Sequence, residues 1–123
     1  SYTVISADHG LTNVPNENRY HIAYKESVKV YGDQRSVYLN GSKKEIIEVL
    51  SNVTGQLIDR TELNHLLPEP KNDFIESLYP DFCFLVEDKN IIYPYHLKTE
   101  LSGYHGGLST EEIKIPIIEI SNF

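Results

Sequence analysis

An acid and a histidine stand side by side early in the chain, at Asp8 and His9. They follow an apolar run, residues 2–7, that is typical of a strand buried on both faces of a parallel sheet. The carboxyl ends of such strands are where open α/β sheets bind ligands. A carboxylate beside an imidazole suits Zn²⁺, Mn²⁺ or Fe, and Gly10 lets the backbone turn without crowding them. The alternative is that Asp8 caps the following turn and His9 is a solvated loop residue.

A second histidine of interest, His105, lies near the other end of the chain in a glycine-rich segment, residues 103–107. We expect it at the junction of another strand of the same sheet, where its loop can converge with the first segment. Turn chemistry also explains these glycines, since Ser109 and Glu112 form a capping box that opens a helical turn. Spacing alone therefore leaves open whether His105 is a ligand or a polar surface residue. The remaining histidines, at positions 21, 65 and 96, receive no role.

Together the two segments resemble the alkaline phosphatase superfamily, in particular its type I phosphodiesterase/nucleotide pyrophosphatase-like branch. The resemblance rests on Ser6-Ala7-Asp8-His9-Gly10 and, far along the chain, on His105-Gly106-Gly107-Leu108-Ser109-Thr110-Glu111-Glu112 ahead of an apolar run. It implies that Asp8 and His9 bind one ion of a two-metal site and that His105 binds the other. It further implies two divalent metal ions, Zn²⁺ or Mn²⁺, in the complete protein.

The resemblance implies a metal-dependent phosphodiesterase or phosphohydrolase that acts on a phosphate-ester small molecule. The superfamily pattern also requires an early Asp ligand, a Thr or Ser nucleophile and an Asp-x-x-x-His pair ahead of Asp-His-Gly, and none of these can be placed in this sequence. We therefore expect a C-terminal fragment that lacks the N-terminal half of its parent. Such a fragment should be inactive alone and bind metal weakly or not at all. The alternative is a non-catalytic binding module that retains a relic metal motif.

The elements between the two segments begin with a predicted hairpin. Its strands are β-branched and aromatic runs at residues 27–31 and 36–39. Ser42 and Glu45 then form a capping box that predicts a helix. We expect the apolar stripe of this helix to lie on a sheet and Gly55 to end the segment as a left-handed cap.

A short strand predicted at residues 57–58 completes a β-α-β unit, and we expect residues 26–60 to be a cap-like insertion. The runs at 82–86 and 91–93 predict a second hairpin. The predicted fold class is α/β: the C-terminal part of an alkaline-phosphatase-like sheet with a small β-α-β cap insertion. We treat residues 1–123 as one fragment of a larger domain.

Composition and charge restrict the partners. Eleven Lys and Arg against 18 Asp and Glu give a formal charge of −7, so the surface repels polyanions and we expect no nucleic acid as a bulk partner. The longest uninterrupted apolar run, residues 82–86, is far shorter than the ~20 residues needed to cross a bilayer, so we expect no membrane partner. Cys83 lies in that run and predicts a buried thiol in a reducing compartment, which favours a cytoplasmic location.

Overall fold

The structure, a computed structural model, describes residues 1–93 and 100–122. Its strands are β1 (Tyr2–Ser6), β2 (Thr12–Asn13), β3 (Arg19–His21), β4 (Lys29–Gly32), β5 (Ser36–Asn40), β6 (Gly55–Asp59), β7 (Phe82–Val86), β8 (Ile91–Tyr93), β9 (Gly103–Tyr104) and β10 (Ile117–Ser121). Its helices are α1 (Lys43–Val49), α2 (Arg60–Leu66), α3 (Asp73–Ser77) and α4 (Thr110–Ile113). Within the described ranges, no helix has both the length and the apolar character needed to cross a membrane.

The largest sheet has four strands in the order β4-β5-β7-β6, and every neighbouring pair in it is antiparallel. It contains the predicted hairpin as β4 and β5 and the predicted short strand as β6. Because β7 pairs with both β5 and β6, those two strands run in the same direction and α1 connects them. β7 comes from outside residues 26–60, so the sheet of the β-α-β unit is completed by a later strand. The 26–60 boundary stays a prediction.

Helices cover both faces of this sheet. On one face α1 contributes Ile46 and Val49 to a core cluster with Leu39 of β5 and Phe84 of β7. On the other face α2 contributes Leu63, which packs with neighbours from β6 and β7. Both faces of the sheet are therefore covered by helices.

Short-range capping chemistry fixes where these helices begin. Ser42 accepts the Glu45 amide and its hydroxyl donates to the Glu45 carboxylate at 2.8 Å, which confirms the predicted start of α1. α2 was not predicted from the sequence, although Asp59 and Glu62 form a complete capping box at its start.

Gly55 is not the left-handed helix cap that we predicted. α1 ends at Val49, with Leu50 as its C-cap. Gly55 is the first residue of β6, and its φ is not positive. A Cβ at this position would lie 2.5 Å from the Leu85 carbonyl oxygen and 2.5 Å from the Phe84 ring. The close approach of β7 therefore explains the glycine.

The predicted second hairpin is also wrong. Both edges of β7 are occupied, by β5 and β6, so no edge is left for β8. The chain turns at Asp88, whose φ is +51°, and β8 pairs in parallel with β3 instead.

β1 differs from the strand that the sequence predicted. It was expected to be buried on both faces of a parallel sheet, but it pairs antiparallel with β10 in a two-stranded sheet, and all residues of both strands are exposed. Among the described residues no further strand extends this β1–β10 ribbon, so its apolar side chains have no covering layer. At its open end the Asn122 amide donates to the Ser1 carbonyl at 3.2 Å.

Candidate functional site

The two segments singled out by the sequence meet in space. The imidazole rings of His9 and His105 stack with their centroids 3.6 Å apart and their planes 18° from parallel. His105 follows β9, which pairs antiparallel with β2 a few residues after His9. The strand predicted after this glycine-rich segment, β10, does share a sheet with β1, but it is the β2–β9 pairing that lies next to both histidines.

A second backbone contact holds the segments together at Gly10. Its amide donates to the Glu112 carbonyl at 2.7 Å. A Cβ on Gly10 would overlap the carbonyl oxygen of Glu111. The glycine of Asp-His-Gly is therefore required by the close approach of α4.

Asp8 and His9 direct their polar atoms toward one another. His9 Nδ1 donates to the Gly10 carbonyl at 2.8 Å; because a carbonyl only accepts, Nδ1 carries the proton and Nε2 keeps its lone pair in neutral imidazole. Nε2 lies 3.6 Å from Asp8 Oδ2. The Asp8 side chain is 88% exposed. The pair therefore offers two electron-pair donors, a ring nitrogen and a carboxylate oxygen, 3.6 Å apart.

These side chains are of the types that bind divalent metal ions, but there are too few of them to complete a coordination shell. One carboxylate and two imidazoles suit Zn²⁺ or Mn²⁺. Across residues 1–93 and 100–122, however, no group of three or more His, Cys, Asp or Glu side chains is arranged to hold a metal ion. These residues can therefore supply only part of a coordination shell. His96 lies outside the described residues.

A buried ion pair that was not predicted from the sequence contacts the segments that carry the two histidines. Arg35, in the turn before β5, is 1% exposed, and Glu112 of α4 is 3% exposed. Arg35 Nε and Nη2 donate to the two Glu112 carboxylate oxygens at 3.0 and 2.8 Å. Arg35 Nη1 donates to the carbonyls of Asp88 and Asn90 at 2.8 and 2.7 Å.

Glu112 also accepts hydrogen bonds from the segment that carries His105. The Gly107 amide donates to its carboxylate at 2.9 Å and the Ser109 hydroxyl donates at 2.6 Å, which confirms the predicted capping box. Burial by itself raises the pKa of Glu112, but the hydrogen bonds from Arg35, Ser109 and Gly107 lower it to about 2. The carboxylate is therefore ionised at neutral pH.

Each of the two glycines that follow His105 is explained by the local structure. Gly106 has a φ of +103°, which is costly for any side chain. A Cβ on Gly107 would lie 2.8 Å from Arg35 Nη2. This pair of glycines ahead of a capping box is the one sequence signal that could have pointed to a buried partner for Glu112.

A cleft of about 570 Å³ lies beside α4, between its first turn and the end of β7. Glu111 lines it, accepting from the Thr12 hydroxyl at 2.6 Å and lying 3.6 Å from Lys89 Nζ. Neither histidine of the stacked pair lines this cleft.

Comparison with known proteins gives a structural match without a sequence match. No protein-family model matches the sequence, and no curated protein sequence matches it. Murine ectonucleotide pyrophosphatase/phosphodiesterase 5 superposes with a TM-score of 0.66 at 14% identity over 94% of this chain, and an inactive variant of it in complex with AMP gives the same values. Phosphonoacetate hydrolase from Sinorhizobium meliloti 1021, in complex with phosphonoacetate, superposes with a TM-score of 0.66 at 17% identity over 97% of this chain.

The chain spans about a third of these neighbours, 33% of the murine protein and 36% of the bacterial one. At such low identity the likeness shows the fold. The predicted fold class is confirmed: this is a mixed α/β chain with part of the fold that both neighbours share.

Proposed function

We propose that this chain, which has part of the alkaline phosphatase superfamily fold, supplies Asp8, His9 and His105 to the two-metal site of a phosphoester hydrolase. The observation that carries the proposal is the stacking of two imidazoles from opposite ends of the chain, 3.6 Å apart. This stacking is informative because the sequence resemblance requires the side chains to share one site. They could instead have lain on opposite sides of the molecule.

The ring geometry supports two neighbouring ions rather than one. Nearly parallel rings whose centroids lie 3.6 Å apart present their nitrogens in two neighbouring planes, and the ions of two-metal hydrolases lie about 3.5–4 Å apart. We assign Asp8 and His9 to one ion and His105 to the other. The Gly10 carbonyl accepts from His9 Nδ1 and so orients the ring with Nε2 available to the ion. Divalent ions bound there would withdraw charge from phosphoryl oxygens.

The proposed substrate is a phosphate-ester small molecule, with nucleotide esters as the first class to test. Structures of the two neighbours contain AMP and phosphonoacetate, which both carry an anionic phosphorus group. The nucleophile and the remaining ligands would come from a part of the parent protein outside this sequence, so the chain alone should be inactive. The buried thiol of Cys83 supports a cytoplasmic location.

A second candidate is a non-catalytic binding module that keeps the motif as a relic. It is favoured by the lack, within the described ranges, of any three-ligand group. Metal binding separates the two candidates, because a relic has no need to retain affinity for ions.

Hydrolysis by the parent protein tests the proposal directly. In a full-length parent supplied with Zn²⁺ or Mn²⁺, Asp8→Ala and His105→Ala should each abolish hydrolysis of bis(p-nitrophenyl) phosphate, because each removes a ligand. His65→Ala, which alters an exposed histidine on α2, is the matched control and should retain activity. Unchanged turnover in both site variants would refute the assignment.

Metal titration tests the same assignment in the 123-residue chain. Binding to this partial ligand set should be weak, so an excess of Zn²⁺ should be needed to shift the ring-proton NMR signals of His9 and His105, and it should leave those of His65 in place. Asp8→Ala should weaken this binding at least about tenfold, since it removes one of few ligands. Equal responses from all three rings would mean non-specific binding and favour the relic module.

A further inference from the structure

We infer that the buried pair of Arg35 and Glu112 is the positioning element that holds the two imidazoles in their stack. The stacking of the rings is observed in the structure. The inference rests on the proposed function in one respect: it treats the stacked rings as the metal-binding part of the site. Neither residue is a proposed ligand. Both act through the backbone segments that carry His9 and His105.

Glu112 contacts both histidine segments at once. Its backbone carbonyl accepts the Gly10 amide at 2.7 Å, next to His9. Its carboxylate accepts the Gly107 amide at 2.9 Å, two residues after His105. A displacement of this one residue therefore changes the relative position of the two rings.

Arg35 in turn fixes Glu112 to the four-stranded sheet. Its guanidinium donates to both carboxylate oxygens and to the carbonyls of Asp88 and Asn90, so all three nitrogens are engaged. Such a fork holds a carboxylate in one orientation, which a lysine could not do. Through this pair the site is tied to the covered sheet rather than to the exposed β1–β10 ribbon.

A purely structural ion pair makes a different prediction. If Arg35 and Glu112 only stabilised the fold, any replacement that restored stability would also restore the ring stack. Replacing a buried ion pair by apolar residues of similar volume often preserves or raises stability. The double variant Arg35→Met with Glu112→Leu therefore separates positioning from stabilisation, because it fills the space and removes the acceptor for Gly107.

The test measures the cross-ring nuclear Overhauser effect between His9 and His105 in the 123-residue chain. We expect the double variant to keep native amide signals for β5 and β7 and to lose most of the cross-ring signal. The matched control is Lys89→Met, which breaks the exposed pair with Glu111 at 3.6 Å and should leave the signal unchanged. A native cross-ring signal in a folded double variant overturns the inference.

Hydrogen exchange in the unmodified chain decides the matter if the double variant does not fold. The Gly107 amide should exchange within about tenfold of the β7 amide of Val86, because both open only when the buried core opens. Exchange at the rate of an unstructured amide overturns the inference. The Zn²⁺ titration is a separate measurement: its failure removes the metal role and leaves the ring-stack result unaffected.

Discussion

The four-stranded sheet and the β1–β10 ribbon are built from the same kinds of residues and end up in opposite environments. Leu39 in the sheet is 0% exposed, whereas Ile117 in the ribbon is 66% exposed. The sheet has α1 on one face and α2 on the other. Among the described residues the ribbon has no third strand, and every residue of its two strands is exposed. An apolar β pattern therefore indicates that a strand can be buried, and the neighbouring elements decide whether it is.

The candidate site lies where these two regions join. Asp8 and His9 follow the ribbon strand β1, while Glu112 is fixed to the turn beside β5 by Arg35. The relative position of the side chains in the candidate site should therefore depend on the four-stranded sheet more than on the ribbon.

The largest expected difference between the two regions is in the cost of truncating an apolar side chain. Leu39→Ala should lower the free energy of unfolding by about 2–5 kcal/mol, since it leaves a cavity in a packed core. Ile118→Ala, on the 53% exposed side chain of the ribbon, should change it by no more than about 0.5 kcal/mol. Urea unfolding followed by circular dichroism measures both, and equal losses would break the comparison.

Low pH should weaken the contact between Arg35 and Glu112, which joins the two regions. The folded pKa of Glu112 is about 2 against an ordinary value of 4.5, so its contribution is fully present above pH 4.5 and is lost as the pH falls through about 2. The pKa difference corresponds to a contribution of the order of 3 kcal/mol. Unfolding measured at several pH values should show a smaller loss across this window in the Arg35→Met, Glu112→Leu double variant. Equal losses in both proteins would contradict the assignment of this pH dependence to Glu112.

A smaller effect is expected from a methyl group added inside the covered sheet. Gly55→Ala should cost about 1–3 kcal/mol, because the new Cβ meets the Leu85 carbonyl and the Phe84 ring. Gly103→Ala is the matched control: its Cβ would be 3.5 Å from Leu11, an ordinary contact, and the change should stay within about 0.5 kcal/mol. Thermal unfolding of the two variants compares them, and a tolerated Gly55→Ala would show that β7 can shift.

Features of the fold that depend on neighbours in sequence were predictable. The β4–β5 hairpin and the starts of α1 and α4 follow from turn and capping residues a few positions apart. The pairing of β8 with β3 and the exposure of β1 were not predictable, because each depends on which sheet edges other strands occupy. Local sequence does not record that competition.

Part of the candidate site was likewise predictable from the sequence, and part of it was not. Asp8, His9 and His105 were identified from a motif whose residue types suit metal ions, and the structure brings the two rings into contact. Arg35 was not identified, since an arginine in a polar turn is typical of the surface. Only the folded chain shows that α4 covers this segment and that Glu112, the glutamate of the capping box, is the buried partner of Arg35.

The hydrogen bond between Asn122 and Ser1 has a practical consequence. Because Ser1 and Asn122 lie side by side, a linker of a few residues would close the 123-residue chain into a ring without stretching any strand. New termini could then be opened in an exposed loop, such as the one around Lys71, to give a circular permutant. In that permutant β1 and β10 would be consecutive strands, so their pairing would no longer require closure of the longest loop in the chain.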